Sequence, residues 1–271
     1  MCAKDEIALI NEDNNNNFCA DNGLIFGRNP VIEALRSGRE IDKLYISSGG
    51  AGGTVKAIIA KCRERKIPIK EVPAQKLDFM CGKGNHQGVA ISVCEYGYSS
   101  VDDLLKVAEE RGEKPFIVIC DGIEDPHNLG AIIRTVECCG AHGVIIPERR
   151  SASLSPAVTR SASGALEYVK VARVTNLVSA IEKLKEAGLW IYAADMDGEC
   201  WCGTDLNCSI GIVIGSEGAG VGRLVKEKCD AVLSLPMKGK INSLNASVAA
   251  GVILYEAARQ RGGISAFSEN S

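Results

Sequence analysis

Three short polar segments in the second half of the chain carry the residue types that chemistry on a small molecule needs. They are Asp121–Arg134, Gly215–Gly220 and Leu235–Asn245. Each follows a short apolar run and precedes a helical pattern, so each is typical of a turn between a strand and a helix. Such turns lie at one edge of a parallel sheet, where α/β proteins bind small molecules. We therefore expect the three segments to form one site.

The first segment offers an arginine on a helix that is predicted to begin near Leu129. Gly130 and Arg134 share one face of that helix by their spacing of four. The glycine leaves room for another backbone, a subunit or a ligand, and the guanidinium offers five donors that suit a phosphate or a developing oxyanion. A plainer interpretation makes Asn128 an N-cap and Arg134 an exposed helical residue.

The second segment has the order Gly-x-x-Gly-x-Gly. It is neither the dinucleotide fingerprint, which reads Gly-x-Gly-x-x-Gly, nor a phosphate loop that ends in Gly-Lys-Ser/Thr. Its glycines, 215, 218 and 220, let backbone amides approach a ligand closely. Glu217 is placed to accept a hydrogen bond from a hydroxyl group or to interact with a cation. The alternative is an ordinary tight turn.

The third segment puts Ser243 and Asn245 at the start of a helix predicted over residues 245–261. The loop before them leaves amides and carbonyls for an adenine or an amino-acid ligand. Lys238 and Lys240 add positive charge near its rim. Simple capping of the helix by Ser243 or Asn245 is the alternative interpretation.

Strands alternate with helices around these segments, which predicts an α/β fold with a mostly parallel sheet and helices on both faces. Its strands are predicted at 115–120, 143–146, 189–193, 210–214 and 231–235, and 151–164 is predicted to be a Ser-rich loop. A smaller α/β domain precedes it, with a helix that starts at Asn29–Pro30 and a polar loop before a strand at 87–93. The expected divisions are a disordered tail (1–21), the small domain (22–98), a linker with a short helix (99–113), the larger domain (114–262) and a C-terminal tail (263–271).

Charge is distributed unevenly along the chain. The net charge is −3, yet residues 22–98 hold 12 Lys and Arg against 7 Asp and Glu, a balance of +5. A basic small domain is compatible with nucleic-acid binding, although a solvated charged face gives the same count. Arg28, Lys61, Arg63, Arg65 and Lys66 are the candidate contacts to a nucleic acid.

The composition predicts a cytoplasmic protein without a membrane partner. Hydrophobic residues make up 46% of the chain and the mean hydropathy is +0.04. No apolar run approaches the ~18 residues of a membrane span, and the acidic start is unlike a signal peptide. The 12 cysteines include no Cys-x-x-Cys pair and only 3 histidines accompany them. We expect reduced structural thiols and no metal site.

Together the three segments resemble the three motifs of the SpoU (TrmH-like) RNA ribose 2′-O-methyltransferases. The matching elements are Asn-x-Gly-x-x-x-Arg, then Gly-Ser-Glu-Gly, then Leu-Pro-Met-x-Gly-x-x-x-Ser-Leu-Asn. The front residues Gly27–Leu35 and Asn85–Val89 resemble the small RNA-binding domain of one branch, which includes the bacterial 23S rRNA guanosine 2′-O-methyltransferase. Lys170 stands where relatives often have proline.

The resemblance implies a catalytic domain of the SPOUT type, whose C-terminal segment threads a trefoil knot, behind an L30e-like RNA-binding domain. It implies S-adenosylmethionine as the cofactor, RNA rather than DNA as the partner, and a homodimer that shares its active sites. Mapped by motif, the cofactor-binding positions are Gly215, Leu235 and Leu244. The polar catalytic positions are Asn128, Arg134, Glu217, Ser243 and Asn245.

The expected reaction is methyl transfer to a ribose 2′-hydroxyl of RNA, with a guanosine of 23S rRNA as the expected target. Positioning of the two substrates supplies much of the acceleration, and Arg134 orients the target or stabilises charge on its oxygen. Arginine stays protonated in proteins, so Arg134 is no general base. Two alternatives stay open: a tRNA ribose methyltransferase of the same family, and an RNA-binding protein without catalysis.

Overall fold

The computed structural model describes residues 18–19, 23–37, 39, 41–48, 52–93 and 96–262. The chain divides into two compact units, residues 1–95 and 96–271. The predicted C-terminal tail, and the predicted N-terminal tail apart from Phe18–Cys19, lie outside the described residues.

The first unit is a mixed sheet with helices. Its elements are β1 (Phe18–Cys19), β2 (Leu24–Phe26), α1 (Arg28–Arg36), β3 (Ile41–Ser47), α2 (Gly53–Glu64), β4 (Ile69–Val72), α3 (Ala74–Met80) and β5 (Val89–Val93). The strand order is β1-β2-β5-β3-β4, and only the β3–β4 pair is parallel among the described strands. Val31, Leu44, Ile58 and Ile91 form the core between the sheet and helices α1 and α2.

Two local predictions for the first unit are corrected by the structure. Helix α1 starts at Arg28 after Gly27, rather than at Asn29–Pro30. Gly27 has a φ of 92°, a backbone conformation that glycine adopts without a steric penalty. Helix α3 lies in a stretch that was expected to be a loop, because it contributes a single fully buried side chain, Leu77. One buried residue gives too weak a periodic pattern to predict a helix.

The second unit is built on a parallel sheet. Its elements are α4 (Val101–Arg111), β6 (Phe116–Asp121), α5 (Pro126–Cys138), β7 (Gly143–Pro147), α6 (Pro156–Ala162), β8 (Val171–Val174), α7 (Leu177–Glu186), β9 (Trp190–Cys200), β10 (Ile210–Gly215), α8 (Arg223–Lys226), β11 (Ala231–Ser234) and α9 (Ala246–Gly262). The strand order is β11-β9-β10-β6-β7-β8, and every pair of neighbours is parallel.

Both faces of this sheet are covered, which explains why its central strands are continuous apolar runs. On one face, Ile117 and Ile119 of β6 pack with Leu104 of α4 and with Ile181 and Leu184 of α7. Alternate residues of β6 point to the opposite face, where α5 and α9 contact each other and α9 contacts β10. The predicted α/β fold with a parallel sheet and helices on both faces is confirmed. The knot stays a prediction.

The short helix predicted within segment 99–113 is confirmed as α4, and its fully buried Leu104 packs in the core of the second unit. Two other segments of the second unit differ from their predicted structure. The predicted Ser-rich loop contains α6, whose Val158 and Ala162 are buried. Strand β8 was not predicted, because its four residues include Arg173 and lack a long apolar run.

Within the described ranges, no helix has both the length and the apolar character of a membrane span.

Candidate active site

The three polar segments converge at one edge of the second sheet. Segment Asp121–Arg134 follows β6, Gly215–Gly220 follows β10, and Leu235–Asn245 follows β11. β10 lies between β6 and β9, and β11 lies on the far side of β9. Because these strands are parallel, their carboxyl ends point the same way, and the turns that leave them meet.

A network of three side chains joins the three turns. The amide of Asn128 donates from Nδ2 to Oε1 of Glu217 over 2.9 Å. The amide of Asn245 donates to Oδ1 of Asn128 over 3.0 Å and also donates to Oε1 of Glu217. One residue from each turn therefore takes part, and each fixes the orientation of the others.

The start of α5 frees Asn128 for this role. Helix α5 begins at Pro126, and its N-cap is Asp125, whose carboxylate accepts from the backbone N–H of His127 over 3.1 Å. The interpretation of Asn128 as a plain N-cap is therefore wrong. Asn128 lies in the first turn of the helix with 9% of its surface exposed, and a buried amide needs the partners that Glu217 and Asn245 supply.

Asn245 has two functions in the structure. Its Oδ1 accepts from the backbone N–H groups of Ser247 and Val248 at 3.0 and 3.2 Å, which caps α9. Its Nδ2 is left to donate into the network. Of the two interpretations that the sequence left open, capping is confirmed by this geometry, and the role of Asn245 as a site residue stays a prediction.

The glycine-rich turn after β10 is closed by its own backbone. Ser216 and Gly220 exchange two N–H···O bonds of 3.1 and 2.9 Å. A Cβ atom on Gly215 would lie 2.2 Å from the carbonyl carbon of Gly220, so no side chain fits there. Gly220 has a φ of 65°, which glycine adopts readily. The glycine spacing thus makes a tight turn and exposes its backbone to the adjoining cavity.

That cavity has a volume of about 270 Å³ and lies between the turns after β10 and β11. Gly215, Leu235 and Leu244, the predicted cofactor-binding residues, all line it, as do Glu217 and Ser243. We call it the donor cavity. Its walls combine apolar side chains with exposed backbone, an arrangement that suits a flat heterocycle held by amides and carbonyls.

Asp195 of β9 is a residue of the donor cavity that the sequence did not indicate. Its carboxylate forms an ion pair of 3.0 Å with Lys226, and the aspartate side chain is only 15% exposed. It is placed to accept hydrogen bonds from hydroxyl or ammonium groups. The available signal was an acidic residue directly after the apolar run 189–193, at the same sheet edge as the three segments.

Arg134 is not brought into the network. It lies six residues beyond Asn128 on α5, a rise of roughly 9 Å along the helix axis. Its guanidinium is exposed, and Nη1 lies 3.5 Å from Oγ of Ser163. Gly130 on the same face makes room for α6: an added Cβ would lie 2.4 Å from Cβ of Ser161. The close approach expected at this glycine is therefore that of a neighbouring helix.

Cys120, on the strand that leads into the first segment, is not a reactive thiol. Burial raises the pKa of Cys120, at the end of β6, to about 12, and the neighbouring Asp121 acts in the same direction. This thiol is therefore neutral and inert near neutral pH. Within the part of the chain that the structure describes, no three His, Cys, Asp or Glu side chains are grouped as a metal site.

Comparison with known families agrees with the division of the chain. The SpoU rRNA Methylase family matches residues 115–255. A second family, RNA 2′-O ribose methyltransferase substrate binding, matches residues 24–99. All residues of the Asn128–Glu217–Asn245 network and of the donor cavity lie within the first of these matches.

Relatives with similar sequences or structures cover most of the chain. YacO of Bacillus subtilis, assigned by its name to the TrmH family of tRNA/rRNA methyltransferases, is 48% identical over 238 residues, which are 88% of this chain and 95% of YacO. The SpoU methyltransferase AviRb of Streptomyces viridochromogenes, in complex with the cofactor AdoMet, is 27% identical with a TM-score of 0.57, covering 90% of this chain and 92% of AviRb. An AdoMet-bound rRNA methyltransferase of Sinorhizobium meliloti is 26% identical with a TM-score of 0.55, covering 88% and 87%. The chain therefore belongs to the SpoU rRNA methylase family of RNA methyltransferases.

Proposed function

We propose that this protein transfers a methyl group from S-adenosylmethionine to a ribose 2′-hydroxyl of RNA, in the cytoplasm, and that its target is a guanosine of 23S rRNA. The observation that carries the proposal is the Asn128–Glu217–Asn245 network at the rim of the donor cavity. A protein that only bound RNA would have no need of a preformed cavity beside an ordered polar network. The substrate-binding family match at residues 24–99 supports RNA as the substrate.

The residues of the donor cavity fit S-adenosylmethionine. Leu235, Leu244 and Met237 offer apolar surface for an adenine ring, and the backbone of the Gly215–Gly220 turn offers polar groups. Asp195 offers a carboxylate for hydroxyl or ammonium groups. When bound, the cofactor supplies a methyl group on a positively charged sulfur, and the new O–C bond forms as the C–S bond breaks.

Glu217 is the residue that we propose to receive or orient the reacting hydroxyl. Its Oε1 accepts from both Asn128 and Asn245, which holds the carboxylate in one position and leaves Oε2 for the hydroxyl proton. Fixed amide donors need no reorganisation during the reaction, which is the condition for efficient electrostatic stabilisation. Ser243, which lines the same cavity, is proposed to bind beside this carboxylate.

Arg134 is proposed to act on the target ribose or phosphate in a homodimer that shares its active sites. The homodimer is supported by an exposed apolar row on α9, formed by Val248, Val252 and Tyr255 at 51%, 37% and 49% exposure. The spacing of four and three residues places them on one face of the helix, and such a row fits a second copy of the chain. Since Arg134 lies away from the network of its own chain, we infer that it serves the partner's site. Sedimentation velocity tests the dimer directly.

The choice of 23S rRNA over tRNA rests on the first unit. Its match to the substrate-binding family and its basic residues support recognition of a folded RNA target. The name of YacO covers both tRNA and rRNA, and tRNA is therefore the competing substrate. Methylation of purified rRNA and tRNA with labelled cofactor, followed by mapping of the modified nucleotide, separates the two.

The decisive variant is Arg134→Ala. We expect it to lose at least ~100-fold of the transfer rate, in the range seen when a transition-state donor is removed, while cofactor binding measured by calorimetry is unchanged. Full activity of Arg134→Ala would reject the assignment of this residue. If the unaltered protein binds no S-adenosylmethionine, the enzymatic proposal fails and RNA binding without catalysis is the better account.

Mixing variants distinguishes a shared site from a local one. An Arg134→Ala chain combined with an Asn128→Ala chain regains activity if the arginine of one protomer serves the network of the other. If arginine and network act within one chain, every mixed dimer stays inactive. Each variant alone is the matched control.

A further inference from the structure

A second cavity, of about 720 Å³, lies beyond the carboxyl ends of β6, β7 and β8. It shares Ser216, Glu217, Ala219, Gly220 and Ala246 with the donor cavity. Asn128 lines the second cavity as well. The Gly215–Gly220 turn and the polar network therefore separate two neighbouring cavities, and Glu217 borders both.

Two arginines line this second cavity at the end of β7. Arg149 and Arg150 are exposed, and neither guanidinium has a hydrogen-bond or ion-pair partner among the described residues. They are also the only cationic side chains in the described lining of the cavity. Arg150 has a φ of 56°, an unfavourable conformation for a residue with a long side chain, and such strain is concentrated at functional sites.

The carboxylates of the second cavity do not neutralise these arginines. Oδ2 of Asp121 accepts from the backbone N–H of Gly222 over 2.7 Å, and Asp125 caps α5. Glu217 is held by the two asparagines. Among the described carboxylates of this cavity, only Glu124 makes no such bond, so the arginines are available for an anionic ligand at the mouth of the cavity.

We propose that the second cavity holds the RNA nucleotide that receives the methyl group, and that Arg149 and Arg150 bind the phosphates on either side of it. This inference rests on the proposed function and adds the place and the anchoring residues of the acceptor. A nucleotide bound there presents its ribose toward Glu217, on the opposite side from the donor cavity. Donor and acceptor would then lie next to each other at Glu217, which is the proximity that transfer between two bound substrates requires.

The chemistry of the two side chains fits phosphodiesters better than other anions. A guanidinium offers a planar fork that binds two phosphate oxygens at once, and two adjacent arginines can engage successive phosphates of a single strand. Phosphate contacts fix the register of a nucleic acid without reading its sequence. Arg149 and Arg150 are therefore positioning residues, whereas the identity of the target is read elsewhere.

The test is the double variant Arg149→Ala, Arg150→Ala, assayed as the full-length dimer with the RNA that the unaltered protein methylates. We expect the KM for RNA to rise at least ~10-fold, and the slope of log K for RNA binding against log salt to fall by about 1.4, for two lost single-strand phosphate contacts. The affinity for S-adenosylmethionine and the unfolding temperature should be unchanged. Arg111→Ala is the matched control, because Arg111 is an exposed arginine on α4 outside both cavities.

A second variant guards against a merely structural effect. Arg149→Lys with Arg150→Lys keeps both charges and should retain the salt slope of the unaltered protein. Lysine cannot bind two phosphate oxygens in a planar fork, so the KM for RNA should rise, but less than in the alanine variant. Unchanged KM and salt slope in the alanine variant would overturn the inference, and so would an equal loss of cofactor affinity. If the unaltered protein methylates no RNA at all, it is the proposed function that fails, which is a distinguishable result.

Discussion

The two units of this protein differ in how their candidate functional side chains are held. In the second unit, Asn128, Glu217 and Asn245 come from three separate turns and satisfy one another at the rim of a cavity. In the first unit, Phe79 at the end of α3 is 87% exposed. The difference is the one expected between a site for chemistry, which needs fixed groups, and a surface for recognition, which needs accessible ones.

The backbone around the exposed surface of the first unit is nevertheless held in place. The backbone N–H of Arg28 donates to Oε1 of Gln87 over 3.2 Å, which joins the Gly27–Leu35 and Asn85–Val89 motifs. His86 lies 2.9 Å from Asp78 through Nε2, and its Nδ1 accepts from the backbone N–H of Gly88. The 27–35 motif, which forms most of α1, is therefore tied to the 85–89 loop, and the Phe79 side chain stays exposed to a partner.

The largest expected effect is at the most tightly packed point of the second unit. Gly215→Ala places a Cβ atom 2.2 Å from the carbonyl carbon of Gly220, so the turn after β10 must open. We expect loss of measurable cofactor binding by calorimetry and a lower unfolding temperature, since overpacking costs about 1–3 kcal/mol. Gly203→Ala is the control, because nothing lies within 4 Å of its added Cβ and Gly203 lines neither cavity. Normal cofactor binding by Gly215→Ala would show that the turn is not part of the donor cavity.

An intermediate effect is expected at the exposed aromatic of the first unit. Phe79→Ala should weaken RNA binding about 10-fold, because stacking of a base on an aromatic ring contributes about 1–3 kcal/mol. The unfolding temperature and the cofactor affinity should not change, since the side chain has few contacts to lose. Phe79→Trp should restore binding.

Tyr168→Ala sharpens the same comparison, because Tyr168 is an aromatic residue of the second unit that is 74% exposed. An equal loss of RNA affinity in both alanine variants, measured by filter binding, would contradict the separation of recognition from chemistry.

The smallest expected effect is on the stability of the second unit at acidic pH. Burial lowers the pKa of His142 below its usual 6.5, while its contact with Glu113 opposes that shift. The unfolded chain therefore binds more protons than the folded one just below pH 6.5. The stability from this residue is present above that pH and is lost as the pH falls. Unfolding curves between pH ~5.5 and ~7.5 should show a shallower dependence for His142→Gln than for the unaltered protein. Identical slopes for the two proteins would show that His142 does not contribute to the pH dependence of stability.

The sequence predicted those parts of the second unit that depend on long apolar runs. Strands β6, β7, β10 and β11 were placed to within one or two residues, because each is a short and mostly apolar run. The convergence of the three turns followed from their positions after parallel strands. Boundaries were less certain: the start of α5 shifted by three residues, and this shift changes Asn128 from a cap into a member of the network.

Features that depend on tertiary contacts could not be read from the chain. Helix α6 packs closely on α5 at Gly130, a contact that the Ser-rich stretch does not reveal, although Ser155–Pro156 is a local signal for the start of a helix. Arg134 lies away from the network because it is six residues beyond Asn128 on α5, and its guanidinium lies beside Ser163. Arg149 and Arg150 gave no signal at all, since two arginines in a loop are ordinarily solvated surface.

Asn245 makes assembly of the site inseparable from the formation of the last helix. The same side chain starts α9 and ties together the turns after β6 and β10, so neither can be completed without the other. A chain still emerging from the ribosome, with α9 not yet synthesised, would carry the first two motifs in an unlinked state. Catalytic competence would then arrive only after α9 has been synthesised, which would keep shorter nascent chains from modifying their target.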